Sequence, residues 1–301
     1  MLSTHGSAAL GLASPAALCE QLKSALPSFP SISWVERTDS TNSDLLAQAR
    51  CRTAQLIRPW LLGAHFQDNG RGRAGRVWQN SAGAHLMFSC AFDVFLAPRQ
   101  LATLSPLAGV AVAEALRSFL PIHEAPKLTL KWPNDIQWHQ AKLAGILTEV
   151  TRAGTSSLSK DHHVVIIGIG INLNDARALS VSLNRQIADW AEIVAHIPQL
   201  KHINAADITV RIANAWYEAL NEVTAFGFQH LTQRYKKVDA LIDQPLAISN
   251  HDQIILSGIG KGINEQGQLL IRQGQQTHAI SVGEVSVRPL DAHTQTETAT
   301  P

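Results

Sequence analysis

Cysteine is scarce: Cys19, Cys51 and Cys90 are the only three in 301 residues, and no two form a CxxC pair. That excludes a disulfide framework and a thiolate zinc site, and it points to a reducing compartment, the cytoplasm. Long apolar runs are also missing, since nothing reaches the roughly 18 consecutive apolar residues of a membrane span. The one apolar stretch near the start, residues 8–19, has no Lys or Arg before it, unlike a secretory leader, and Leu18 before Cys19 disfavours lipoprotein cleavage. Neither sign of charge dominates: 25 basic and 24 acidic side chains leave +1, so no global field draws the chain to nucleic acid. Thirteen histidines are present without convergent carboxylates, which makes no case for a histidine metal centre. What the chain does have is a core. Hydrophobic residues make up 45% and charged residues 16%, the balance of a soluble globular protein with one large domain, or a large and a small one.

Periodicity orders that core. Leu18, Leu22 and Leu26 recur four apart behind Pro15 and predict a helix, in a segment (1–30) set apart as an N-terminal extension. A short strand follows near Ile32, and Asp39, Ser40 and Thr41 then offer caps for a helix bearing Leu45, Leu46 and Ala49. Residues 85–94, 128–132, 142–150 and 163–173 read as strands, the last buried by its β-branched content. A helix is expected to start near Pro106, an exposed hairpin over 151–161, and an amphipathic helix over 205–226 with Ile208, Ile212, Trp216, Leu220 and Val223 on one face. Beyond Asp239 short β-rich runs alternate with turn clusters, which suggests a small antiparallel barrel or sandwich. The polar residues 291–301 are expected to be disordered. The resulting domains are 1–30, 31–238, 239–290 and the 291–301 tail.

One stretch stands apart from this scaffold: HFQDNGRGRAGRVW, from His65 to Trp78. Gly70, Gly72 and Gly75 alternate with Arg71, Arg73 and Arg76. Glycines let the main chain approach a ligand, and guanidinium forks suit phosphate and carboxylate oxygens, so the run reads as an anion-wrapping loop. A solvated basic turn is the bland alternative for such a run in isolation. Four more motifs accompany it: DSTN at 39–42, KWPND at 131–135, KLAGIL at 142–147 and GIGINLN at 168–174.

In this order and spacing the motifs resemble biotin protein ligase, from about Ser33 through the closing GEVSVRP at 283–289. The resemblance implies an α+β fold with a mixed sheet flanked by helices, of the class II aminoacyl-tRNA synthetase and biotin ligase type, and a small SH3-like C-terminal β-barrel. It implies ATP and Mg2+ with biotin as substrate, and as partner the biotin carboxyl carrier protein of acetyl-CoA carboxylase or a related carboxylase. Ser40, Thr41, Asn42 and Gln67 would hold biotin's ureido head, whose donors and acceptors suit hydroxyl and amide groups. Arg71, Gly72, Arg73, Lys142 and Gly145 would complete the biotin site, with Arg71 and Lys142 catalytic. Arg73, Arg76, Trp78, Lys131, Asn134, Asn172 and Trp190 would meet the nucleotide, and Asp135 a metal. Adenylation drives a carboxylate against a phosphate, so fixed cations at that locus are what the chemistry requires.

Each assignment has a plain structural alternative. DSTN alone is an N-cap, Lys142 an exposed strand residue, and Asp135 a turn residue after Pro133 and Asn134. Gly168 and Gly170 would serve close packing between backbones. Trp190 would anchor a short helix with Ile187 and Ile193. At the level of function, a lipoate or octanoate ligase or transferase is the enzyme alternative, with Cys90 the one cysteine considered for the transferase's nucleophile. A biotin-sensing DNA-binding repressor is the non-enzyme one. It is disfavoured because about thirty residues precede the motifs and Lys23 is the sole Lys or Arg in residues 1–36. No DNA or membrane partner is expected, and the chain would be a monomer or homodimer.

Overall fold

The computed structural model describes residues 11–51, 57–152, 159–250, 253–283 and 286–289. In chain order the helices are α1 (Pro15–Ala25), α2 (Thr41–Arg50), α3 (Leu104–Arg117), α4 (Ala176–Leu183), α5 (Trp190–His196), α6 (Ala205–Phe226) and α7 (Leu231–Val238). The strands are β1 (Ser31–Thr38), β2 (Trp60–Gln67), β3 (His85–Phe95), β4 (Leu128–Lys131), β5 (Asp135–Trp138), β6 (Ala141–Thr151), β7 (His162–Asn172), β8 (Pro245–Asn250), β9 (Gln253–Ile263), β10 (Leu269–Gln273), β11 (Gln276–Ile280) and β12 (Ser286–Pro289).

Seven strands form one sheet in the order β1-β2-β3-β7-β6-β5-β4. β1 runs parallel to β2 and every other pair is antiparallel, which is the mixed sheet the motifs implied. Leu45, Leu46 and Ala49 of α2 cover one face, over Trp60, Ala91, Val164 and Ile166. α1, α3 and α6 bury the other, where Leu18, Val112 and Trp216 join the main core with Val165, Ile167 and Ile169.

The two-residue period of β7 decides where the site lies. Odd positions enter the main core, while the even positions begin with Val164 and Ile166 beneath α2 and continue as Gly168 and Gly170. Where the glycines begin, the apolar layer stops and a trench opens.

α1 is part of the core rather than an extension. Leu18, Leu22 and Leu26 are all at most 1% exposed, so the 30/31 boundary falls inside a packed unit. The Ser14 hydroxyl accepts from the Ala17 N–H and Pro15 sits in the first turn, so this helix starts as its sequence predicts. Residues Pro98–Thr103 form a 3-10 turn that leads into α3, so the helix begins before Pro106, which lies in its first turn where proline is tolerated. β2, β5, α4 and α7 were not foreseen, and α5 was foreseen only as the short helix that Trp190 would anchor. β5 is a four-residue strand paired to β4 through a tight turn at KWPND, too short to show alternation.

The last five strands form a separate antiparallel sheet, β11-β10-β9-β8-β12, which matches the small β-domain expected beyond Asp239. Leu246, Ile248, Ile263, Leu269 and Ile271 pack into the same core as the large sheet. The Trp132 indole donates to the Gly267 carbonyl at 3.0 Å, and the Thr103 hydroxyl to the Gln266 carbonyl at 3.0 Å. The 151–161 hairpin falls mostly outside the described residues, and the 291–301 tail wholly so.

Candidate active site

The trench widens into a cavity of about 730 Å³ between the large sheet, the Gly70–Trp78 loop and β12. Its floor is shaped by missing side chains. A Cβ on Gly168 would collide with Asn42 Oδ1 and stand 2.7 Å from Ser89 Oγ. A Cβ on Gly170 would lie 2.5 Å from Cζ2 of Trp78, and one on Gly145 3.2 Å from both Trp78 Cζ3 and Lys142 Nζ. Gly168 and Gly170 therefore make room for side chains, not for a neighbouring backbone.

At one end lies a buried cluster of hydroxyls and amides. Ser40, Thr41, Asn42, Gln67 and Ser89 are all at most 7% exposed. Gln67 Oε1 accepts from the Thr41 backbone N–H at 2.8 Å, Thr41 Oγ1 pairs with Ser89 Oγ at 2.7 Å, and Ser89 Oγ donates to Asn42 Oδ1 at 2.6 Å. Asn42 Nδ2 then donates to Glu149 Oε2 at 3.0 Å. Ser40 holds the N-cap position of α2, yet its hydroxyl makes no capping bond. The cap comes instead from Gln67, which frees DSTN to face the cavity, so the simple N-cap alternative does not describe it.

At the other end cations gather. Arg71, Arg73, Arg76, Lys131, Lys142, Arg185 and Arg288 line the cavity, and among the described residues Asp135 is the one acidic lining residue. The loop that carries three of them is a small hairpin. Trp78 N–H donates to Gly70 O at 2.8 Å and Gly72 N–H to Arg76 O at 2.7 Å. Its tip uses left-handed backbone at Ala74 (φ 52°) and Gly75 (φ 69°), free for glycine but costing alanine about 1 kcal/mol. Arg73 reaches Asn134 Oδ1 at 3.2 Å and the Gly283 carbonyl at 3.0 Å, and Arg76 reaches Ser286 Oγ at 3.4 Å. Arg71 pairs with Glu149 at 3.1 Å and Lys142 with Asp135 at 2.6 Å. Asn134 Nδ2 donates to the Ile146 carbonyl at 2.7 Å, which locks the KWPND turn to β6. Burial lowers the Arg73 guanidinium from its ordinary value, partly opposed by Asp135. Lys131 is lowered too, first by burial and then by Lys142, Arg288 and Arg185, against the pull of Asp135. Cations desolvated next to other cations favour an incoming anion.

Trp78 lies over the glycine floor, its ring 5.8 Å from Lys142 Nζ, and its buried indole N–H has no hydrogen-bond partner among the described residues. Two expected nucleotide contacts are not brought to the cavity. Asn172 is 3% exposed and donates to the carbonyls of Lys142 and Ala188 at 3.1 Å each, which staples residues 186–188 beside β6. Buried amides need partners, and these two satisfy it behind the site. Trp190 is fully buried at the first turn of α5, edge-on to Phe119 and near Ile193, so it anchors a helix and is not available to stack on adenine. Its indole N–H is also unpartnered among the described residues. The residues near it in sequence that do line the cavity are Leu183, Asn184 and Arg185, at the end of α4. No motif marks these three, nor Ser89 or Glu149, and Arg288 sits in the closing GEVSVRP without having been singled out. A hydroxyl in an otherwise apolar strand was the only signal for Ser89.

No group of three or more His, Cys, Asp or Glu able to hold a metal occurs among the described residues, and Asp135 is engaged by Lys142. Cys90 is fully buried in β3 and burial pushes its thiol well up, the opposite of what a nucleophile needs. No helix among the described residues is long and apolar enough to cross a membrane.

A buried hydroxyl-amide pocket joined to a cation-rimmed chamber suits a ligase that activates a carboxylate on a nucleotide. Comparison with known proteins agrees. Residues 34–172 match the Biotin/lipoate A/B protein ligase family, and residues 246–288 match the Biotin protein ligase C terminal domain. The chain is 33% identical to the bifunctional ligase/repressor BirA of Salmonella typhimurium, over 83% of this chain and 72% of that one. It is 30% identical to the biotin--[acetyl-CoA-carboxylase] ligase of Mycobacterium tuberculosis, over 89% of this chain and 93% of that one. Its fold matches the biotin protein ligase of Aquifex aeolicus in complex with biotin and ATP, at a TM-score of 0.66 and 26% identity, covering 87% of this chain and all of that one. The chain belongs to the biotin protein ligase family.

Proposed function

We infer that this site condenses biotin with MgATP to biotinyl-5′-adenylate and pyrophosphate, then passes the biotinyl group to a lysine of a biotin carboxyl carrier protein. The observation that carries the reading is one cavity joining a buried hydroxyl-amide cluster to seven lining cations. Thr41, Asn42, Ser89 and Gln67 present donors and acceptors to the ureido head. The glycine floor and Trp78 flank the fused rings and acyl chain. Arg71, Arg73, Lys131 and Lys142 stand where the biotin carboxylate oxygen attacks the α-phosphorus, and offset charge as pyrophosphate leaves. In the second step the carrier amine attacks the acyl carbon, AMP departs with the bonding pair, and the amine loses a proton.

Mg2+ enters as the counter-ion of the ATP phosphates, since it is usually held by one or two carboxylates plus substrate oxygens. Asp135 is the carboxylate nearest that role, in exchange for its pairing with Lys142. Leu183 and Arg185 replace Trp190 as the residues expected beside the nucleotide. The carrier of acetyl-CoA carboxylase is the acceptor we expect, in the cytoplasm, with the enzyme a monomer or homodimer and without a DNA partner. Incubation with biotin, MgATP and a purified carrier domain, followed by intact-mass analysis, tests the reading. Addition of one biotinyl group is expected. An unmodified carrier that instead accepts lipoyl or octanoyl groups would overturn it.

A further inference from the structure

We propose that Glu149 is a positioning residue that joins the biotin-head cluster to the first arginine of the anion loop, an inference that rests on the biotin-adenylating reading above. Glu149 lies on β6 opposite Ile166 of β7, on the same face as Gly145 and Leu147. That face looks into the trench. The two carboxylate oxygens are divided between two elements: Oε2 accepts from Asn42 Nδ2 at 3.0 Å, and Oε1 meets Arg71 Nη2 at 3.1 Å.

Each contact extends further. Through Asn42 the chain of bonds runs to Ser89, Thr41 and Gln67. Through Arg71 it reaches the base of the Gly70–Trp78 hairpin, where Arg71 bridges Val77, and the Ser43 hydroxyl at 3.3 Å. The Glu149 side chain is 21% exposed and that of Arg71 48% exposed, so the carboxylate is the fixed end and the guanidinium the adjustable one. Glu149 also fixes which way the Asn42 amide points, because an acceptor facing Nδ2 leaves Oδ1 for Ser89. The same side chain therefore orients a group that reads biotin and one that meets the incoming phosphates. This is a physical link between the two substrate subsites.

The Glu149→Gln variant separates the two contacts. Its amide oxygen still accepts from Asn42, but the charge opposite Arg71 is gone. With the full chain, calorimetry gives the Kd for biotin alone, and biotin-dependent ATP–pyrophosphate exchange gives the KM for ATP. Glu149→Gln is expected to hold the biotin Kd within about twofold and to raise the ATP KM about fivefold, the worth of a half-exposed ion pair. Glu149→Ala removes both contacts and is expected to weaken both constants by about fivefold. A merely structural role would lower the melting temperature and leave both constants near wild type, which overturns the proposal. A fall in ATP KM for Glu149→Gln also overturns it, since it would make the carboxylate a competitor of the phosphates. If Glu149→Ala does not fold, the split between the two constants in Glu149→Gln decides alone. Absence of biotin-dependent exchange in the wild-type chain would instead sink the adenylating reading on which the proposal rests.

Discussion

A single methyl group tests the architecture of the biotin end. Gly168→Ala places a Cβ on the sheet face beneath α2, in collision with Asn42 Oδ1 and 2.7 Å from Ser89 Oγ. Both atoms belong to buried side chains with little room, so Asn42 has to rotate away. That rotation breaks the 2.6 Å bond from Ser89 and the 3.0 Å bond to Glu149. If biotin needs Asn42 in its original orientation, binding must restore it without those two hydrogen bonds, at about 1 kcal/mol each, which puts the cost near 2 kcal/mol, roughly thirtyfold in biotin Kd. Overpacking in the sheet adds a global destabilisation of about 1–3 kcal/mol. The assay is calorimetric titration with biotin well below the variant's melting temperature, with circular dichroism to show that the sheet persists. A biotin Kd within about twofold of wild type, in a folded variant, would refute the claim that the glycine floor exists to seat Asn42 and Ser89.

Other consequences are open to direct measurement. Lys142→Ala should leave the circular dichroism spectrum unchanged and slow adenylate formation by roughly 10²–10³-fold, by analogy with removal of one oxyanion donor; wild-type pyrophosphate release would contradict it. Because Trp78 and Trp132 line the cavity and Trp190 does not, the fluorescence change on adding biotin and MgATP should survive in Trp190→Phe and shrink in Trp78→Phe, with Trp132 supplying the remainder. Cys90→Ala should keep its biotinylation activity, and loss of turnover in a folded variant would revive a thiol mechanism. Burial raises the Asp239 carboxyl to about 6, so the folded state binds its proton more tightly than the unfolded chain. Its favourable contribution is complete below the unfolded value of about 4 and is lost as pH rises through 6, on the order of 3 kcal/mol in all. Asp239→Asn, which keeps an acceptor for the Leu241 N–H, should therefore gain in melting temperature relative to wild type at pH 7, and that gain should shrink at pH 4.5.

How legible the sequence was depended on whether a residue's role is set locally. The DSTN, GRGRAGR, KWPND and KLAGIL motifs all reach the cavity, because each is a turn or strand end whose glycines, proline and charges already prescribe its backbone. β7 and α6 were visible from β-branched content and 3.6-residue periodicity. Asn172 was misplaced for the opposite reason, as was Trp190 in its nucleotide role, while the helix-anchoring alternative for Trp190 matches the packing. A polar or aromatic residue beside a motif looks functional in one dimension, and only packing shows that Asn172 staples residues 186–188 and that Trp190 fills the core beside Phe119. Ser89, Glu149, Leu183 and Arg185 could not be picked out because they come from the opposite side of a fold that a linear pattern does not close. β5 has four residues, below the length at which alternation is readable.

The Gly70–Trp78 hairpin has a consequence for the birth of the enzyme. Arg73 and Arg76 are each held by a residue 210 positions later, at Gly283 and Ser286. During synthesis every strand of the large sheet, with the residues of the polar cluster, has been made once β7 emerges, while α6 and the second sheet that share its core are still to come. The hairpin's outer anchors are still unmade. The tethers to residues 283 and 286 are therefore the last contacts the hairpin can gain. On the adenylating reading, the chamber that would hold the reactive anhydride gains its last wall only when β12 leaves the exit tunnel. Placing the final fastener so late in translation means that partial products lack both that wall and the ties that hold the hairpin against it.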